Sequence, residues 1–193
     1  MRAQYKYLGS AKNNPHVVYI PSHTDKLWIG RAIVGEHGTK ATPEAVQFFV
    51  WCMLNRFLLH PGNRHWETFL YMLRRFSQPI NPRWQRDGDL AKKYKNSPMC
   101  TEEKFRRRER ICALEWSDIP SAVRVDLEDF MAGALPRPEM PDWADELPTR
   151  WTNFAAATAS LQRRFPEGKN VGGNWYFEDS KIRQGSVVID LWG

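Results

Sequence analysis

The residue with the most chemical promise in this chain is Glu36, in the run Gly35-Glu36-His37-Gly38. The apolar stretch before it, from Leu27, has helical spacing, with Leu27, Arg31 and Val34 on one side and Trp28, Ala32 and Gly35 beside them. Gly38 is a plausible stop, so Glu36 sits where a helix ends. A carboxylate there meets the negative end of the helix dipole, which disfavours ionisation. Apolar neighbours such as Ile33 and Val34, and the apolar segment that follows, would desolvate it and push its pKa the same way. A carboxylic acid that stays protonated near neutral pH is what general-acid chemistry needs, as in the breaking of a glycosidic bond. The same side chain could instead point into water or pair with His37 or Lys40.

Other reactive side chains are less well placed. Ser77-Gln78-Pro79-Ile80-Asn81-Pro82 carries two prolines and several hydrogen-bonding groups, which predicts an ordered loop. Ser77 and Gln78 could equally cap the helix before them. Glycosidases usually use two carboxyl groups, and Asp87 or Asp89 could supply the second, although both lie in a polar turn where solvation is expected. His60 and His65 stand five apart across Pro61-Gly62, without a metalloprotease-type spacing, so no metal site is expected. Cys52, Cys100 and Cys112 form no CxxC pair. Cys52 reads as packing, and the default for the other two is a reduced thiol. No glycine-rich loop matches a phosphate cradle, and no cofactor is expected.

Around these groups the chain reads as mainly α with minor strand. Residues 1–26 are polar, broken by Pro15 and Pro21, with a strand-like run at residues 16–20; they predict an arm packed on a domain of residues 27–193. Thr42-Pro43-Glu44 is a helix start signal. Val46, Phe49, Val50, Met53, Leu54 and Phe57 then form an apolar face that Phe48, Trp51 and Cys52 widen, which predicts a central helix to about Leu58. Further helices are expected over residues 65–76, 101–116, 121–132 and 150–164, the last containing Ala155-Ala156-Ala157. The stretch holding Pro136, Pro138, Pro141 and Pro148 reads as a packed loop. Asn170 to Phe177 reads as a glycine turn followed by an aromatic extended run, and residues 185–192 as a closing strand.

The chain has 193 residues, enough for one domain with a proper core. Hydrophobic residues at 42% and charged residues at 26% exclude wholesale disorder. Nine tryptophans suit either an aromatic core or a groove that stacks on flat ligands such as sugars. A formal net charge of +6 favours anionic partners without choosing between nucleic acid, lipid surfaces and wall polymers. The one dense basic run is Lys104-Phe105-Arg106-Arg107-Arg108-Glu109-Arg110, which reads as a solvated helix surface or an anion-attracting patch. The first residues lack the apolar core of a secretory signal and no run suffices for a membrane span, so synthesis in the cytoplasm and no stable membrane insertion are expected.

Three blocks together resemble the cell-wall hydrolase family that includes the bacterial spore-cortex-lytic enzymes. Gly35-Glu36-His37-Gly38, with an apolar helix ending Leu54-Asn55-Arg56, resembles the family's Gly-Glu-Ala-x-Gly turn and the long helix ending in Asn-Arg. Phe76-Ser77-Gln78 with Trp84 resembles its Gln-Phe-Ser segment, and Gly172-Gly173-Asn174-Trp175-Tyr176-Phe177 its late Gly-Ala-x-x-Phe-Tyr element. They span roughly residues 28–178. The chain departs from the family at His37-Gly38-Thr39-Lys40, at Asn174-Trp175 and in the bulky Phe48, Phe49 and Trp51.

The resemblance implies a lysozyme-like helical domain that cleaves peptidoglycan between N-acetylmuramic acid and N-acetylglucosamine, as a lytic transglycosylase or a muramidase. It implies Glu36 as general acid and base, Ser77, Gln78 and Asn81 as substrate-binding residues, and Tyr176 near the acid, bonding substrate or Glu36. Size and charge suit a phage-encoded enzyme acting on the cell wall, either a lysin released through a holin or a component working with other virion proteins, its basic surface meeting anionic wall polymers. The alternative is a non-catalytic phage structural or nucleic-acid-binding protein on the same scaffold.

Overall fold

In the computed structural model, which describes residues 3–8, 18–59, 68–136, 138, 153–177 and 186–191, the chain is mostly helical with two small antiparallel sheets. The first sheet joins the two ends of the chain. Strand β1 (Ala3–Leu8) lies between β2 (Val18–Tyr19) and β6 (Ser186–Leu191), with Ala3 opposite Leu191 and Leu8 opposite Ser186. Tyr5 is fully buried: its ring stacks on Phe130 at 5.0 Å and its hydroxyl donates to the Phe130 carbonyl at 2.6 Å. The segment expected as an arm therefore supplies part of the core. The domain boundary expected at residue 26 falls inside helix α1 (His23–His37). The physical reason is local. Ser22 and Asp25 close a capping box, Ser22 Oγ accepting from the Asp25 N–H and Asp25 Oδ2 from the Ser22 N–H, so the start is marked by the Ser22-x-x-Asp25 spacing and not by apolar periodicity.

Helix α2 (Pro43–Leu59) is the centre of the fold. Thr42 Oγ1 accepts from the Ala45 N–H at its start. Val46, Phe48, Phe49, Val50, Cys52, Met53 and Leu54 are buried on almost every side of it. Each large apolar side chain removed from water this way stabilises the fold by roughly 1.5–3 kcal/mol. Helix α2 packs against α1, α3 (Phe69–Phe76) and α6 (Ser121–Ala132), and touches both sheets. A short α4 (Asp89–Lys93) follows two 3-10 turns at residues 78–80 and 82–84, and α5 (Glu102–Ala113) leads into α6. Among the described residues no helix is long and apolar enough to cross a membrane.

The second sheet corrects one expectation. Residues 150–164 do not form one helix: β3 (Asn153–Ala156) comes first and α7 (Ala159–Arg164) starts only after Thr158, whose side chain accepts from the Leu161 N–H. β3 pairs antiparallel with β5 (Asn174–Phe177), which also pairs with β4 (Lys169–Val171), giving the order β3-β5-β4. The alanines favour helix locally, but the strand lets Phe154 pack on Tyr176, Phe49 and Phe76 at 5.3–5.5 Å, and this non-local packing wins. The β4–β5 turn is made by Gly172 and Gly173 at φ 58° and 84°, a left-handed backbone that favours glycine.

Each described tryptophan is used in packing. Trp28 meets the Arg31 and Arg74 guanidinium groups over its ring, Trp84 stacks on Tyr94 and Trp116 carries Lys26 over its ring. The indole N–H groups of Trp51 and Trp175 donate to the Pro136 and Phe165 carbonyls. His60, His65 and the proline-rich stretch from residue 139 to residue 150 lie outside the described residues.

Candidate functional site

Glu36 occupies the last turn of α1, half-buried, where α1 meets the loop leaving α3. Gly35 sets how closely the two approach. A Cβ at this position would lie 2.3 Å from Pro79 Cβ and 2.8 Å from Pro79 Cγ, so only glycine admits the proline ring. With Pro79 against the helix, the two residues before it reach the acid. The Ser77 hydroxyl, itself fully buried, donates to Glu36 Oε1 at 2.8 Å, and the Gln78 backbone N–H is close enough to favour the ionised carboxyl. From α5, Arg107 Nη2 donates to the Gly35 carbonyl at 2.8 Å, and its charge favours the ionised acid.

These three groups all stabilise the carboxylate, yet burial outweighs them. Glu36 keeps its proton to higher pH than an ordinary glutamate. The outcome is an acid that is protonated further toward neutrality and still has hydrogen-bond partners ready for its ionised form. Such a group can give up a proton and take one back.

The Ser77→Ala protein is expected to carry a Glu36 of still higher pKa, because a bond to the charged form is lost, and to be about 1 kcal/mol less stable. A carbon-detected NMR titration of the Glu36 side chain reads the first effect and thermal melting the second. An unmoved titration would separate Ser77 from the ionisation of the acid.

The other residues singled out in the sequence divide. Gln78 is exposed and its Nε2 lies 3.6 Å from Met99 Sδ, so its amide remains at the surface beside the acid. Asn81 is turned to its own loop: Nδ2 donates to the Arg75 carbonyl at 2.8 Å and Oδ1 accepts from the Arg83 N–H at 3.0 Å. These bonds hold the loop in place and leave its amide little to offer a ligand. Tyr176 is fully buried, with its hydroxyl 2.9 Å from His37 Nε2, and the two rings lie parallel at 6.4 Å. Its hydrogen-bond partner is therefore the neighbour of the acid in sequence, and not Glu36. Burial raises the Tyr176 pKa well above the usual phenol value and lowers that of His37, so both are neutral near pH 7. The pair ties the β3-β5-β4 sheet to the end of α1, close to Gly172, where an added Cβ would come within 2.8 Å of His37 Nδ1.

Asp89 is held by Arg83 through bonds of 2.7–3.0 Å, which depresses its pKa, and Asp87 lines a separate surface pocket with Arg86 and Glu109. Among the described residues the groups that act on the Glu36 carboxyl are Ser77, Gln78 and Arg107, and none of them is a second carboxylate. No group of three His, Cys, Asp or Glu residues that could hold a metal occurs among the described residues.

The basic run also divides. Arg106 pairs with Glu102 at the surface, and Arg110 is exposed. Lys104, Arg107, Arg108 and Ile111 instead face one pocket of about 130 Å³, together with Gln78, Pro79 and Met99. Both readings of the run, a solvated surface and an anion-attracting patch, are compatible with this arrangement, in which Arg107 is exposed and Arg108 buried. Positions 104, 107, 108 and 111 follow the i, i+3, i+4, i+7 spacing of a single helix face.

No protein-family model, no curated protein and no solved structure shows a significant match to this chain.

Proposed function

We propose that the protein cleaves the glycan strand of peptidoglycan between N-acetylmuramic acid and N-acetylglucosamine, with Glu36 as general acid and then general base. The observation that carries the reading is the Glu36 carboxyl at a helix end, its pKa raised by burial, with Ser77 placed to receive its ionised form. Further support comes from the meeting of the three resembling blocks at one place. Gly35-Glu36-His37 ends α1, Phe76-Ser77-Gln78 reaches the acid, and Gly172 to Tyr176 reaches His37.

In the first step the Glu36 proton passes to the glycosidic oxygen, the bond from that oxygen to the muramic anomeric carbon breaks, and positive charge spreads over the ring carbon and ring oxygen. The resulting Glu36 carboxylate is stabilised by the Ser77 hydroxyl, the Gln78 N–H and Arg107. In the second step it takes a proton from the muramic 6-hydroxyl as that oxygen closes on the anomeric carbon, giving an anhydro end. If water attacks instead, the carboxylate takes the water's proton and the end is a reducing sugar. Both routes return Glu36 to its acid form.

The setting that fits is a phage lysin or a virion component that opens the cell wall. Incubation with purified sacculi, followed by mass spectrometry of the soluble products, tests the reading. Anhydro-muramyl ends identify a transglycosylase and reducing muramic ends a muramidase. A protein that releases neither but shifts DNA with a steep salt dependence would overturn cleavage and favour the nucleic-acid-binding alternative that the net charge of +6 permits.

A further inference from the structure

The pocket beside Glu36 collects three cationic side chains, of which Arg107 also acts on the Glu36 carboxyl. Its walls are Gln78 and Pro79 on one side and Lys104, Arg107 and Arg108 of α5 on the other, with Met99 between them. At the nearby surface Arg83 pairs with Asp89, while Arg86 and Arg106 share Glu102. The three cations of the pocket have no carboxylate at ion-pair distance among the described residues. Arg108, only 4% exposed, donates to the Trp84 and Met99 carbonyls at 3.0 and 2.9 Å, and Arg107 donates to the Gly35 carbonyl. Carbonyl groups accept from these side chains without cancelling their charge. Among the described residues the Lys104 ammonium meets the Met99 sulfur, at 3.9 Å. Three positive charges focused into one concave site favour an anion there.

The pocket shares its walls with the acid. Pro79 packs on Gly35, the Gln78 N–H favours the ionised Glu36, and Arg107 donates to the carbonyl of Gly35. A ligand group seated in it would stand next to the bond that Glu36 cleaves. At about 130 Å³ it holds a side group of several atoms.

We infer that this pocket is an anion subsite for the carboxylate carried on the lactyl arm of muramic acid, a group that N-acetylglucosamine lacks; the assignment of the ligand rests on the glycan reading above. The subsite would fix which of the two sugars lies on the acid's side of the scissile bond. It would thereby decide which of the two alternating linkages is cut. The carboxylate comes from the lactyl group itself in strands stripped of peptide, and from the stem peptide in intact strands.

The test uses the full chain with its methionine methyl groups labelled, so that Met99 reports on the pocket. Titration with N-acetylmuramic acid or with muramyl dipeptide is expected to shift the Met99 methyl resonance, and N-acetylglucosamine is expected to leave it in place. A response to N-acetylmuramic acid alone assigns the lactyl carboxylate, and a tighter response to muramyl dipeptide assigns the peptide carboxylate. The Lys104→Met variant keeps the aliphatic stem and removes the charge. It should weaken these responses about tenfold, and on sacculi it should raise KM by about the same factor, with a smaller change in kcat. Equal responses to both sugars, or a variant that binds and cleaves as the wild type does, would overturn the subsite while leaving cleavage intact. A Met99 response to inorganic phosphate or a short DNA oligonucleotide with none to either muramic compound would also overturn it. Wild-type protein that binds N-acetylmuramic acid at Met99 but releases no muropeptides would keep the subsite and remove the enzyme reading.

Discussion

The Glu36→Gln protein is expected to lose about a thousandfold or more in muropeptide release while melting at or above the wild-type temperature at neutral pH. The loss follows from the role: general-acid catalysis contributes roughly 10²–10⁴-fold, and an amide can neither give the proton nor take it back. Retained stability follows from the ionisation. The Glu36 pKa is raised in the fold above its ordinary value, chiefly by burial. Such a group contributes most to stability below the unfolded pKa, and that contribution is lost as pH rises through the folded pKa. Wild-type protein therefore carries the cost of a buried charge on the alkaline side of this window, and the glutamine variant does not. Ser77 can still donate to the amide oxygen. The difference in melting temperature should close as pH falls below the ordinary glutamate range. Cleavage by the wild type should fall as pH rises through the same raised pKa, because the first step needs the acid form. A variant that retained cleavage, or that lost it only in proportion to unfolding, would remove Glu36 from the chemistry.

The second large effect is expected from a residue with no side chain. Gly35→Ala places a methyl group 2.3 Å from Pro79 Cβ, a separation at which one partner must move. The proline cannot give way by rotating a side chain, because its ring is closed onto the backbone. The 3-10 turn at residues 78–80 must shift as a unit, and Ser77 and Gln78 shift with it. Overpacking of this kind costs about 1–3 kcal/mol. The loss in cleavage should be larger, about a hundredfold, because misplacing partners of a reacting group by about 1 Å has that order of effect. The measurements are thermal melting and cleavage rate on the same preparation, well below the melting temperature. Adding Pro79→Gly to the variant removes the atoms that clash and should restore part of both. A Gly35→Ala protein that cleaved normally would show that the close approach of the loop is not needed.

Much of this molecule is legible in the order of its residues. Thr42-Pro43, Thr101 and Gly133 mark the ends of α2, α5 and α6 because capping is a matter of groups three or four positions apart. The apolar faces of α2 follow from the same short periodicity. The position of Glu36 at a helix end was readable for that reason. The start of α1 is written in the same short-range way, in Ser22-His23-Thr24-Asp25, but a reading by apolar spacing begins the helix later, at Leu27. β3 was not readable, because a strand draws its stability from a partner some twenty residues away, and the local preference of Ala155-Ala156-Ala157 points to a helix.

The sequence by itself determined that a carboxylic acid would stand at the end of a helix, followed by a central apolar one, and that an ordered Ser-Gln loop and an aromatic strand would follow. Only the tertiary structure decided what meets the acid. Ser77 reaches it from forty-one positions away, through the contact between Gly35 and Pro79. Tyr176 turns to His37 instead, and Arg107 arrives from α5. The burial that raises the pKa of Glu36 is likewise a property of the assembled packing. Helix ends are written in bonds between near neighbours, whereas a proton affinity depends on every group that the fold brings within a few ångströms, and those groups come from distant parts of the chain.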